Sequence, residues 1–222
     1  MTGSGARESR IEGIRTVDGW GTCVTEYRRL ARAALLACLG VGVAALGGCA
    51  SSRPIPTFDL SAPRDVATSP RSRGTLVVAD PTALAVLNTE KIIVEPAPGQ
   101  ITYLADAQWS DRLPALFQAR LLEAFENSSR ARSVARPGDR ITPDFLLLTD
   151  IRTFGLQTTG GAEAVVEVSA KIVDDKAGRI VAAKVFAARA PAANSTGPEV
   201  ARALDQASDQ VFSDIVRWAA GY

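Results

Sequence analysis

Between residues 144 and 190 the sequence carries three long stretches with a side-chain period of two. They are 144–157, 163–174 and 179–190, divided by Gly160-Gly161 and by Asp174-Asp175-Lys176-Ala177-Gly178. Alternation over such lengths marks extended strands, and Gly- and Asp-rich dividers tolerate the tight reversals between them. The three stretches read as an antiparallel meander. In the middle one, Val166, Val168, Ala170 and Ile172 fall on one side, and Glu167, Ser169 and Lys171 on the other. One face of such a sheet is dry and one is wet, so an apolar layer must cover the first.

Two segments can supply that layer. Residues 111–127 place Leu113, Leu116, Phe117, Leu121, Ala124 and Phe125 at helical spacing, with Arg112, Arg120, Glu123 and Glu126 elsewhere. Pro114 sits in the first turn, where its missing N–H costs little if Ser110 or Asp111 caps the helix. The C-terminal segment opens with Thr196-Gly197-Pro198-Glu199, a capping-box spelling. It then sets Val200, Leu204, Ala207, Val211, Ile215 and Trp218 on one stripe. Shorter strands are expected at Leu76–Ala79, Leu84–Leu87, Lys91–Val94 and Ile101–Leu104, with turns at Asp80-Pro81, Asn88 and Pro96–Gly99. The expected fold class is α+β: an antiparallel sheet with two main helices packed on one face.

Upstream, Arg28, Arg29 and Arg32 precede an apolar run from Ala33 to Leu46. A basic cluster followed by a short apolar run is the layout of a signal peptide, and the run is shorter than the roughly 20 residues that span a bilayer. It ends in Leu46-Gly47-Gly48-Cys49, which resembles the lipobox of bacterial lipoproteins. That resemblance makes Leu46, Gly47 and Gly48 the signal-peptidase recognition residues and Cys49 the site of lipid attachment. Cys49 would carry a covalent diacylglycerol and an N-acyl group. Each buried CH₂ contributes about 0.8 kcal/mol, so two or three acyl chains anchor a chain stably. Cys23 and Cys38 leave with the signal, and no free thiol remains.

The chain divides accordingly. Residues 1–26 form an N-terminal extension that points to a misassigned start, with translation beginning near Val24. Residues 27–48 are the signal peptide, and residues 49–74 are the lipidated N-terminus with a tether containing Pro54, Pro56, Pro63 and Pro70. Residues 75–222 are the globular domain. Ala50 and Ser51 stand after Cys49 where an Asp would favour the inner membrane. The expected location is therefore the periplasmic side of the outer membrane, with the inner membrane kept open.

Charge and composition narrow the chemistry. Beyond residue 48 there are nineteen Lys and Arg against twenty Asp and Glu, which builds no field for nucleic acid. No histidine occurs anywhere, which removes Ser-His-Asp and Cys-His activation and the ordinary histidine zinc sites. No catalytic residue, metal site or cofactor is expected. Asp174-Asp175 beside Lys176 and Gly178 reads as turn chemistry. Arg130, Arg132, Arg136 and Arg140 read as a solvated basic loop, although such a cluster can touch anionic head groups. Tyr103 and Trp109 are candidate partner or lipid contacts, and the competing reading packs Trp109 between the helix and the sheet.

Order and spacing then point to a family. Thr57-Phe58-Asp59-Leu60, the strand ending in Tyr103, Ala107-Gln108-Trp109, Leu113-Pro114 and the helix with Leu121 and Phe125 follow one another over residues 57–218. In this order, behind a lipobox, they resemble the auxiliary lipoproteins of ABC-type transport systems, with Phe58 where a Tyr is common. The resemblance implies a non-enzymatic accessory subunit. Its implied partners are an MCE-domain protein and an ABC permease/ATPase complex, and its implied role is to support phospholipid transport between the inner and outer membranes. The alternative is a structural or assembly lipoprotein for another envelope complex such as an outer-membrane barrel. A carboxylate-dependent hydrolase lacks any sequence sign. Unpaired edge strands also invite a homo-oligomer.

Overall fold

In the computed structural model, residues 54–67, 74–128 and 133–222 are described. They run β1 (Thr57–Phe58), β2 (Leu76–Val78), β3 (Thr82–Ala83), β4 (Lys91–Ala97), β5 (Gln100–Trp109), α1 (Leu113–Glu126) and β6 (Val134–Ala135). β7 (Phe145–Gln157), β8 (Glu163–Asp174), β9 (Arg179–Pro191) and α2 (Gly197–Ala219) follow.

The meander forms as the alternation requires. β7 pairs antiparallel with β8 from Phe145↔Asp174 to Gln157↔Glu163, and β8 with β9 from Glu163↔Pro191 to Asp174↔Arg179. Ala164, Val166, Val168, Ala170 and Ile172 are fully buried. An irregularity between Ile151 and Thr153 lets Ile151 and Phe154, three residues apart, both reach the covered face, which a regular period of two forbids.

The sheet as a whole is mixed, which corrects the expectation of an antiparallel one. Along its other edge β7 meets three short strands in succession, all parallel: β2 beside Phe145–Leu147, β3 beside Asp150–Ile151 and β4 beside Gly155–Gln157. β6 extends β2 in parallel, β5 returns antiparallel to β4, and β1 lies parallel to the end of β5. Parallel neighbours need a crossover, and α1 supplies it between β5 and β7. Leu84–Leu87, expected as a strand, is a turn closed by the Leu87 and Asn88 amides donating to the Leu84 carbonyl at 2.9 and 3.1 Å.

Both helices bury the predicted stripes apart from Trp218, which is partly buried, and Phe117 of α1 meets Phe212 of α2 with ring centroids 4.9 Å apart. Their caps differ from expectation. Arg112 is the N-cap of α1, and neither it nor Thr196 makes a side-chain capping bond. The Thr196 hydroxyl instead donates to Asn194 Oδ1 at 2.6 Å, which satisfies it outside the helix. Gly197 donates its amide to Asp106 Oδ2 at 3.2 Å, and a Cβ there would lie 2.7 Å from that of Ala107. The first turn of α2 therefore seats directly on β5.

The packed domain takes in residues ahead of 75. Leu60 and Val66 are buried in the core, and Phe58 packs against it. The carbonyls of Pro56 and Phe58 accept from Gln108 and Ser110. Asp59 accepts from Arg120 of α1, and the Ser61 amide donates to Asp205 of α2 at 2.6 Å. Pro54, Pro56 and Pro63, which suggest a tether, lie instead in a strap of residues 54–67 whose Leu60 and Val66 reach the core. Among the described residues no helix is long and apolar enough to cross a membrane.

Candidate docking surface

The sequence singles out two aromatic residues of β5, and the structure separates them. Trp109 is 1% exposed, edge-on to Phe154 at 5.8 Å. Its backbone amide donates to the Glu90 carbonyl at 2.7 Å, so it is a core residue and belongs to no contact surface. Tyr103, six residues earlier on the same strand, is 40% exposed, and Lys91 Nζ lies 4.9 Å from its ring centroid. β5 is a strand of two halves, because only its Gln108–Trp109 end is covered by β1.

Tyr103 pairs with Ile93 of β4, which pairs in turn with Gly155 of β7. Phe154 and Leu156 face the helices, so Gly155 and Gln157 face the other way, along with Ile93 and Glu95. On this open face lies an apolar pocket of about 150 Å³, walled by Leu84, Leu87, Ile93 and Ile101. Leu84 and Ile101 are exposed at its mouth. Gly155 makes the seam possible, since a Cβ there would sit 2.7 Å from the Ile93 carbonyl oxygen. A polar ladder frames one side. Gln157 Nε2 donates to Glu95 Oε2 at 3.0 Å, Gly99 donates its amide to Glu95 Oε1 at 3.0 Å, and Arg189 donates to Glu163 at 2.6 Å and to Gln157 at 3.4 Å. Such an arrangement accepts an apolar group and orients it by hydrogen bonds at the rim.

The remaining candidates fall elsewhere. Cys49, Leu46, Gly47 and Gly48 lie outside the described residues, as do Arg130 and Arg132. Arg136 and Arg140 flank the Pro137-Gly138 turn, where the Arg136 amide donates to Asp139 at 2.7 Å. Asp174 closes its turn by accepting from Ala177 at 2.9 Å, and Lys176 bonds Asp144, which raises the ammonium pKa. No group of three metal-type side chains comes together among the described residues. Sequence reasoning passes over Leu84 and Ile101 as contacts because each is an ordinary apolar residue in its own segment, and only the pairing of β3 and β4 with β7 and of β5 with β4 brings them together.

The model of the ABC-type transport auxiliary lipoprotein component family matches residues 58–216. An uncharacterized protein of Bradyrhizobium diazoefficiens is 32% identical over 173 residues, 78% of this chain, which spans 46% of that protein's length. The crystal structure of a Xanthomonas campestris protein of the DUF330 family superposes with a TM-score of 0.66 at 26% identity, covering 74% of this chain and 94% of that one. Another uncharacterized protein of known structure, 14% identical over 75% of this chain and 99% of its own, shares the fold at a TM-score of 0.60. The matched segment takes in most of the strap, the sheet from Phe58 onward and almost all of α2. The chain belongs to the ABC-type transport auxiliary lipoprotein family.

Proposed function

We propose that this chain is a non-enzymatic accessory subunit of an MCE-type ABC transporter, anchored through acylated Cys49 to the periplasmic side of the outer membrane. There it supports phospholipid movement between the inner and outer membranes. The observation that carries the reading is the family match over residues 58–216, which begins inside the strap and so reaches ahead of the predicted globular domain toward the anchor in sequence. The exposed Tyr103, Ile101 and Leu84 around the open-face pocket suit a partner or lipid contact, since amphipathic aromatics beside apolar pockets are typical of interfaces.

The test is proximity crosslinking in cells followed by mass spectrometry, comparing the wild type with Cys49→Ala. An MCE-domain protein or ABC permease captured with the wild type and reduced in the variant supports the reading. A barrel protein as the captured partner, or no envelope transport component, overturns it. The mass of diacylglycerol and an N-acyl group on Cys49 checks the anchor separately.

A further inference from the structure

Among the described residues the outer edge of β9 has no strand partner. β9 pairs only with β8, and no described strand lies beyond it. At 13 residues it is more than twice as long as a typical strand. The amide that fixes the phase of this edge is that of Ala192, which donates to the Ala162 carbonyl at 2.9 Å, toward β8. Counting back by two, Ala190, Ala188, Phe186 and Lys184 likewise turn their backbone groups toward β8, whereas Ala183, Val185, Ala187 and Arg189 turn theirs outward. Pro191 falls on the outward set, the one phase in which a proline removes no ladder bond.

Natural edges are blunted with bulges, lysines, prolines or covering segments, and β9 has an irregularity between Ile180 and Ala182, Lys184 and a terminal Pro191, but from Ala182 to Pro191 its ladder is regular. Here the outward backbone groups belong mostly to Ala and Val residues, with Val185 45% exposed. β9 carries Arg179, Lys184 and Arg189 and no acidic residue. Arg189 is paired with Glu163, whereas Arg179 and Lys184 form no ion pair among the described residues, and Lys184 rests over the Phe186 ring at 4.9 Å. On the same side, Phe186, Trp218 and Tyr222 stack edge-to-face at 5.4 and 5.6 Å, with Tyr222 40% exposed. α2 thus ends in an aromatic shelf next to the open ladder.

We infer that the β9 edge is a strand-addition site for an extended segment of another protein. That segment carries a carboxylate opposite Lys184 and an apolar residue against the Trp218–Tyr222 shelf. Main-chain bonds to the outward amides give affinity, and the side chains on the shelf side give selection. The inference rests on the accessory role proposed above and deepens it by naming the chemistry of the partner segment.

The test places a photo-crosslinking phenylalanine analogue at Val185 in the full chain in cells and sequences the crosslinked peptide. The expected product is an extended, acid-containing segment of another protein. Ala187→Pro, which blocks an outward amide without breaking the β8 ladder, should abolish the product. Lys184→Glu should cut its yield by about fivefold, and Lys184→Arg should preserve it. Far-UV circular dichroism and melting check that each variant is folded, and Lys184→Glu decides the matter if Ala187→Pro does not fold. No product, crosslinks only to lipid or to a second copy of this chain, or a yield indifferent to the folded variants overturns the inference. An acid-containing strand from a protein unrelated to transport keeps the edge site and removes the MCE assignment.

Discussion

The two halves of the sheet are built in opposite ways. β7, β8 and β9 are contiguous in sequence, each 12 or 13 residues long, and paired almost end to end. The other half is a patchwork of β1 to β6, of which four strands have two or three residues, gathered along one edge of β7 and around β4. The meander draws its order from local hairpins and from burial beneath α2. The patchwork is held by long-range pieces: a glycine seam, a crossover helix and the strap. Hairpin partners find one another with little loop entropy, whereas distant short strands need the finished meander as a template. The half that is legible locally supports the half that carries the pocket.

The largest expected effect comes from removing the cover of the meander. Phe212 is fully buried against Phe117, so Phe212→Ala should cost about 3–5 kcal/mol and lower the denaturant midpoint of the whole domain. A loss confined to the patchwork would break the comparison. Next comes the seam itself. Gly155→Ala forces a Cβ within 2.7 Å of the Ile93 carbonyl, which must move. About 1–3 kcal/mol is expected, with hydrogen exchange accelerating at β4 and β5 while β8 and β9 stay protected.

The same contrast explains what can be read from sequence. Val166 to Ile172 alternate because one face is dry, and Leu113 to Phe125 and Val200 to Ile215 repeat at helical spacing for the same reason, so the meander and both helices are visible. The short strands expected at Leu76–Ala79, Lys91–Val94 and Ile101–Leu104 also form, and Leu76–Val78, buried throughout and without a period, is legible only as an apolar run. Leu84–Leu87 is as apolar as a strand, yet Leu84 is 70% exposed at the pocket mouth, and composition cannot separate these cases. Parallel pairing of β2, β3 and β4 with β7 is a property of tertiary arrangement and leaves no local mark. Of the candidate surface, Tyr103 is legible as an amphipathic aromatic. The neighbouring pocket is not, because Gly155 and Ile101 acquire their roles only when β4 lies beside β7. Trp109 looks equivalent to Tyr103 in sequence, and its burial depends on the strap pairing with its end of β5 and on Phe154 packing against its ring.

Smaller effects test whether the strap belongs to the patchwork. Asp59 is half exposed and bonded to Arg120, which also bonds Glu123. Asp59→Ala should cost no more than about 1 kcal/mol in chemical denaturation and shrink further at high salt. The informative readout is local: limited proteolysis should reach residues 54–67 sooner in the variant, with the meander unaffected. Cleavage unchanged from the wild type would mean that Leu60 and Val66 hold the strap without the ion pair.

The smallest effect has the opposite sign. Asp209 on α2 sits one turn from Asp205, and its Oδ1 is buried without a hydrogen-bond partner. Burial first and then the Asp205 charge push its pKa above the ordinary 3.8, while Ser61 of the strap opposes the shift. A carboxyl with a raised native pKa binds its proton more tightly folded than unfolded. Its ionisation therefore lowers stability as pH rises from 3.8 through the native pKa, and the full penalty is present at neutral pH. Asp209→Asn should accordingly raise the melting temperature at pH 7, by the equivalent of less than about 1 kcal/mol for a partly exposed group. The gain should vanish below pH 3.8, where the wild-type carboxyl is protonated in both states. A gain that persists unchanged in acid would assign the effect to the amide's own hydrogen bonds and not to charge. A loss at neutral pH would mean that the ionised carboxylate holds the strap through Ser61, making Asp209 a fastening of the patchwork to α2.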